Sequence, residues 1–164
     1  MNEHDLQTLR RLMRDGRITW AELAQLLGLS APAAADRVRR LEERGVIRGY
    51  AALVDPEAVG LGVTAFVAVT LERPEHRAGI LRWVDDTPEV QECHHVAGEG
   101  DYLLKVRCAA VRDLEGIVSE GVKGLDGVAA TRTTVVLSTR KETPVLPLPV
   151  RDPASSEGAA RDGA

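Results

Sequence analysis

Several common functions leave marks that this 164-residue chain does not carry. It has only two cysteines, Cys93 and Cys108, and no Cys-x-x-Cys pair. That usage excludes a disulfide framework and suits a reducing cytoplasm. No apolar run approaches the 18 residues or so that a membrane-spanning helix needs, so no membrane partner is expected. The N-terminus is charged and polar, without a signal-peptide core. No Gly-x-Ser-x-Gly or other nucleophile signature is present, and no separate acid–base pair falls on a common face. Cys93-His94-His95 invites a metal reading, because alternation along a strand puts Cys93 and His95 on one side. No second ligand cluster lies nearby, and ordinary strand residues explain the triplet as well. The expectations are therefore no catalytic site, no metal and no cofactor. Internal repeats are absent too.

What is present is concentrated in residues 16–50. Thr19 precedes Trp20-Ala21-Glu22, the pattern of a capping box in which the Thr hydroxyl and Glu22 carboxylate satisfy each other's backbone donors. Ala21, Leu23, Ala24 and Leu27 give an apolar stripe at helical spacing, and Gly28 supplies the left-handed residue that ends the helix. Ser30 caps the next helix, with Pro32 in its first turn, where a missing N–H costs little. In that helix Ala34, Val38 and Leu41 share the face that must bury. Pro32, Ala33, Asp36, Arg39, Arg40 and Glu43 fall opposite, with Arg37 and Arg44 at the border. Val46–Tyr50 and Ala51–Val54 read as a short hairpin. Two capped helices, a Gly turn and a hairpin spell a helix-turn-helix (about 20–39) with a wing. An earlier helix, in which Leu6, Leu9, Leu12 and Met13 repeat at three and four, completes a three-helix head.

Splitting the charge is informative. Residues 1–50 hold nine Arg against seven Asp+Glu, a net of +2, and residues 51–164 carry the remaining −6 of the total −4. A net acidic chain still binds duplex DNA if its positive charge is gathered on one element.

After Gly62 the rhythm changes to strands. Val63–Leu71 alternates; Arg77–Asp86 has helical spacing closed by Pro88. Val90–Ala97 and Tyr102–Cys108 are strands joined by Gly98-Glu99-Gly100-Asp101. Val111, Leu114, Ile117, Val118 and Val122 make a second helix, and Val128–Thr139 a final strand. The order βαββαβ is the ferredoxin-like split motif, an α+β body with both helices on one face of the sheet. The other face is left for a partner chain. Boundaries follow: 1–54 the winged helix-turn-helix DNA-binding domain, 55–62 a linker, 63–143 the βαββαβ domain, and 144–164 a tail, disordered from about 151.

A winged helix-turn-helix followed by βαββαβ resembles the Lrp/AsnC (feast/famine) transcription regulators. The matching segments are Asp15–Ile18, Ala21–Ala24, Gly28–Ser30, Arg37–Glu42, Gly45–Tyr50, Glu92–His94, Gly98 with Asp101–Tyr102, and Val135–Leu137. They cover roughly residues 2–149 in order. The resemblance implies a DNA-binding head, a body that dimerises through its sheets and often assembles into octamers, and an amino-acid effector between subunits. Two departures stand out. Where the family commonly reads Gly-Asp-Tyr-Asp, this chain has Gly98-Glu99-Gly100-Asp101, which removes an aromatic wall. The recognition helix begins Ala31-Pro32-Ala33-Ala34-Ala35 where many relatives place Ser and Thr, which shifts weight onto arginines and backbone.

The expected DNA-contacting set is Thr19, Ser30, Ala33, Asp36, Arg37, Arg39, Arg40 and Arg44. Arg37 or Arg40 is suited to pair bidentately with a guanine. Asp36 either accepts from a cytosine amine or orients Arg40. The expected effector set is Gly98, Glu99, Gly100, Asp101, Thr131 and Thr133. Here the glycines admit backbone N–H groups to a carboxylate, and Asp101 or Glu99 faces an ammonium. Turn chemistry alone gives the loop a plainer reading as a tight hairpin turn. Two alternatives remain at this level: a sirohaem decarboxylase-like enzyme using His94 or His95, and a ligand sensor that does not bind DNA.

Overall fold

The computed structural model describes residues 1–149; the expected disorder from about 151 lies outside them. The chain divides into two compact units, residues 1–52 with the described tail 141–149, and residues 53–140.

The first unit contains α1 (Glu3–Leu12), α2 (Trp20–Leu27) and α3 (Ala31–Glu43). Each begins as its sequence dictates. Asn2 and Asp5 form a reciprocal capping box on α1, and Thr19 and Glu22 form another on α2. Gly28 ends α2 at φ +64°, a conformation that side chains with a Cβ resist. The Ser30 hydroxyl accepts the Ala33 N–H to open α3. Leu23, Ala24 and Leu27 pack against Ala34 and Val38, with Ile18 closing the cluster. Burying such side chains contributes about 1.5–3 kcal/mol each.

The expected hairpin after α3 is absent among the described residues: no strand occurs between Glu43 and Val63. The Val46 and Ile47 N–H groups both donate to the Leu41 carbonyl, winding the chain off the helix end. Ile47 then plugs the head core, and the Tyr50 hydroxyl bonds to Glu42 at 2.8 Å. Of the apolar residues that suggested a strand, only Ile47 packs on the head core, while Val46, Leu53 and Val54 stay exposed, and the segment runs as an irregular arm. The tail returns to this unit, where Arg10 donates to the Pro149 carbonyl at 2.5 Å and the Leu146 N–H approaches the Met13 sulfur at 3.4 Å.

The second unit is β1 (Val63–Leu71), α4 (Arg77–Asp86), β2 (Val90–His95), β3 (Tyr102–Cys108), α5 (Val111–Gly116) and β4 (Val128–Val135). The stretch expected to be a linker contributes a single 3-10 turn at Glu57–Val59. The strands form one antiparallel sheet in the order β2-β3-β1-β4. Ala65, Val67, Val69, Leu104 and Val106 are fully buried beneath Ile80, Leu114, Val118 and Val122.

Three elements are shorter than expected, the first being β2, which ends at His95 and not Ala97. α5 stops at Gly116 and continues as a wide π turn, Ile117–Gly121, then a 3-10 turn, Val122–Gly124. Trp83 packs so closely on Gly121 that an added Cβ would lie 2.8 Å from the indole, and the wide turn makes that room. β4 ends at Val135, not Thr139, because its partner β1 begins at Val63 and the last ladder bond, Val136 N–H to Thr64, uses up its edge.

Register assigns the faces. Phe66, Ala68 and Thr70 lie opposite Thr134, Arg132 and Ala130, on the side away from the helices. Leu103 and Lys105 join them from β3, and Glu92 and His94 from β2. This open face is mixed, with Phe66 partly exposed beside a Lys105–Glu92–His94 charge cluster.

Candidate functional site

The exposed side of α3 is a charge lattice. Asp36 pairs with both Arg39 and Arg40, at 2.5 Å for Arg40, and Arg39 also reaches Glu43 at 2.5 Å. Arg39 holds the Asp36 carboxyl below its usual pKa, and Asp36 and Glu43 in turn raise Arg39. Fully exposed pairs of this kind contribute little, so a phosphate can displace them. Asp36 thus holds both Arg39 and Arg40 on the exposed face. Arg40 is 69% exposed. Arg44 is exposed and forms no ion pair among the described residues. Arg48, on the arm just beyond it, has the same character and was not singled out from sequence; its place in the Gly45–Tyr50 match is the signal that could have found it.

Arg37 differs from its neighbours. Its guanidinium turns to α1, 2.5 Å from Asp5 and 3.0 Å from the Asn2 side chain, and is only 24% exposed. Burial works to raise the Asp5 pKa, but the Asn2 N–H and Arg37 outweigh it and hold the carboxyl below its ordinary value. The expectation that Arg37 reaches a base is replaced by a pin between α1 and α3. Thr19 and Ser30 are occupied as caps. Ala33 lies exposed on the face, its N–H engaged by Ser30.

In the second unit, Glu99 and Gly100 from the β2–β3 loop, Ala68 and Thr70 of β1, and Ala130, Thr131 and Arg132 of β4 surround a concavity of about 340 Å³. Glu99 and Arg132 pair across it. The loop is fixed by Asp101: its N–H donates to Val69, its carboxylate accepts from Leu71, and its carbonyl accepts from Val96. Through Oδ2, the Asp101 carboxylate thus serves the backbone of β1. Gly100 has φ +87°, and a Cβ there would sit 3.1 Å from the Val69 carbonyl, so the loop lies flat against β1. Gly98 belongs to the loop but does not line the concavity. Thr133 pairs with Val67 and so points to the helix side, away from the concavity. Arg132 was missed from sequence because only the β1–β4 register shows that it faces Glu99.

His94 and His95 diverge. His94 bonds Glu92 on the open face at 3.2 Å, whereas the His95 ring lies 5.2 Å from Tyr102 on the other side. Burial pushes the Cys93 thiol above its normal pKa. Among the described residues no helix is long and apolar enough to cross a membrane, and no group of three metal-ligating side chains occurs.

Comparison with known proteins agrees with this arrangement. Residues 1–48 match the family model for winged helix-turn-helix DNA-binding domains, and residues 64–146 match that for the Lrp/AsnC ligand binding domain. The chain is 42% identical over 139 residues to the HTH-type transcriptional regulator LrpA of Mycobacterium tuberculosis, covering 85% of this chain and 91% of that protein. It is 38% identical over 149 residues to the leucine-responsive regulatory protein of Escherichia coli, covering 90% and 91%. Among solved structures, a Neisseria meningitidis transcriptional regulator in complex with L-Met superposes with a TM-score of 0.86 at 32% identity, covering 90% of this chain and 96% of that one. The chain belongs to the Lrp/AsnC family of DNA-binding transcriptional regulators.

Proposed function

We propose that this regulator grips duplex DNA through the exposed face of α3 and the arm behind it. Arg40, Arg44 and Arg48 make the principal contacts, and Arg39 exchanges its carboxylate partners for phosphate. Ser30 and Thr19 hold the helices that present these side chains, and Asp36 aims Arg40. The reading rests on one observation: a Ser30-capped helix whose Arg39 and Arg40 point outward while its Ala34, Val38 and Leu41 are buried. Ala33 and its small neighbours leave little side-chain chemistry for base reading, so backbone positioning carries much of the affinity.

The protein works as a homodimer, and as octamers built from dimers, with the mixed open face of the sheet as the association surface. A two-fold dimer sets recognition helices in successive major grooves of a near-palindromic site. An amino acid bound in the β1–β4 concavity biases the assembly, a population shift between arrangements. Leucine in the name of one relative and L-Met in the complex of another support that ligand class. The protein acts in the cytoplasm without catalytic activity. Selection of bound fragments from random duplexes, with and without a panel of amino acids, tests this. A shared near-palindromic sequence whose recovery changes with one amino acid is expected; absence of sequence enrichment overturns it.

A further inference from the structure

We propose that the cleft between α1 and α2 docks a partner protein through an acidic, leucine-bearing helix of that partner. This surface is separate from the exposed face of α3 and from the sheet concavity, and rests on neither. Gln7, Arg10, Arg11 and Arg14 recur at three and four along α1 and the turn that ends it. They form one stripe beside the buried Leu6 and Leu9. Leu23, Leu26 and Leu27 of α2 form the facing stripe, and the two enclose a groove of about 320 Å³. No carboxylate lines it, and no residue of α3 does.

The groove holds contacts that folding leaves unused. Leu23 and Leu27 are buried in the head core, but Leu26 is 61% exposed. Arg14 is exposed and makes no ion pair among the described residues. Arg11 pairs through one terminal nitrogen with Asp15 at 3.1 Å, while its buried Nε donates to no acceptor. Arg10 already serves a peptide: one terminal nitrogen donates to the Pro149 carbonyl of the tail, and the other holds Glu3 at 2.9 Å.

The two walls select the occupant. Guanidinium groups take carboxylates through paired N–H donors, and arginine stems extend the apolar cover of the leucines. A leucine wall takes apolar side chains that project at i, i+3 or i+4 and i+7. One element satisfies both, a helix with leucines on one face and Asp or Glu along its flank. Duplex DNA satisfies only the arginines, since phosphates gain nothing from Leu26. Because α3 contributes nothing to the groove, partner and duplex are expected to bind together.

Selection of random displayed peptides of about 16 residues, roughly four helical turns, against the full chain tests this. Enriched peptides carry leucines at helical spacing with acidic neighbours. Their synthetic forms bind wild type in fluorescence anisotropy, and Leu26→Ser and Arg14→Glu each weaken them about tenfold or more. Leu26→Met and Arg14→Lys retain most of the affinity, and replacing the acids of the peptide with lysine abolishes it. Circular dichroism melts check that the variants fold, and the lysine peptides on wild type decide the matter even where a variant does not. No enrichment, enrichment of sequences without acids, or affinity untouched by both substitutions overturns the proposal. So does Arg14→Glu weakening a random duplex as much as the peptide, which assigns the arginines to DNA. Leu26→Ser splitting the wild-type assembly in light scattering overturns it too, since the groove is then an interface between copies.

Discussion

Arg37 and Arg40 lie three residues apart on α3, and the structure gives them opposite work. Arg37→Ala removes the partner of Asp5, a carboxylate only 7% exposed. Exposed pairs are worth under about 1 kcal/mol, while stranding a fully buried charge costs about 3–5 kcal/mol. This half-buried pin falls between, so a loss of about 2 kcal/mol is expected in urea unfolding. The loss also depends on pH. The folded Asp5 pKa lies below its unfolded value, so the stabilisation is fully present above the ordinary carboxylate range and fades as pH falls through it towards the depressed folded pKa. Arg37→Ala should flatten that acid limb. Arg40→Ala, by contrast, should leave stability within about 0.5 kcal/mol. Its effect belongs in fluorescence anisotropy against a selected duplex across a salt series. There each lost phosphate contact lowers the slope of log K against log salt by about 0.9. If Arg37→Ala unfolds like wild type and flattens the salt slope instead, the assignment of Arg37 to the α1–α3 pin is wrong.

Three further outcomes are expected. Ser30→Ala removes the acceptor of the Ala33 N–H and should cost about 1 kcal/mol in urea unfolding, with DNA affinity falling in step as α3 frays. Gly100→Ala forces a Cβ into a φ of +87° and to 3.1 Å from the Val69 carbonyl, and should lower stability by roughly 1–2 kcal/mol; an unchanged midpoint would show that the loop moves freely. Light scattering of the full chain at micromolar concentration should give dimers or larger species, since the open sheet face bears Phe66 and Leu103; a clean monomer contradicts the proposed assembly.

Local chemistry was the legible part of this sequence. Thr19 with Glu22, Ser30 before Pro32, and the Ala34, Val38, Leu41 stripe each involve residues within ten positions, and each lies where spacing placed it. The strand and helix order of the second unit followed from changes in period. What escaped depends on partners distant in sequence. Arg37 reads as a border arginine until Asp5, thirty-two positions away, is brought beside it. Alternation shows that Thr131 and Thr133 share a face, but not which face, and the register puts Thr133 on the helix side. The arm after α3 carried strand-forming residues, but no strand pairs with it among the described residues, and only Ile47 is drawn onto the head core.

The tail's return to α1 has a consequence for biosynthesis. The DNA-binding unit is assembled from the first 52 residues and from residues 141–149, with the 88 residues 53–140 between them. At translation rates of about 5–20 residues per second, roughly 4–18 s separate the emergence of these pieces. A nascent chain therefore exposes Arg10 of α1 and Met13 just beyond it while the sheet unit is still being made, and gains their tail contacts only once residues 141–149 have emerged. Messages interrupted anywhere in the second unit would yield heads lacking that strap.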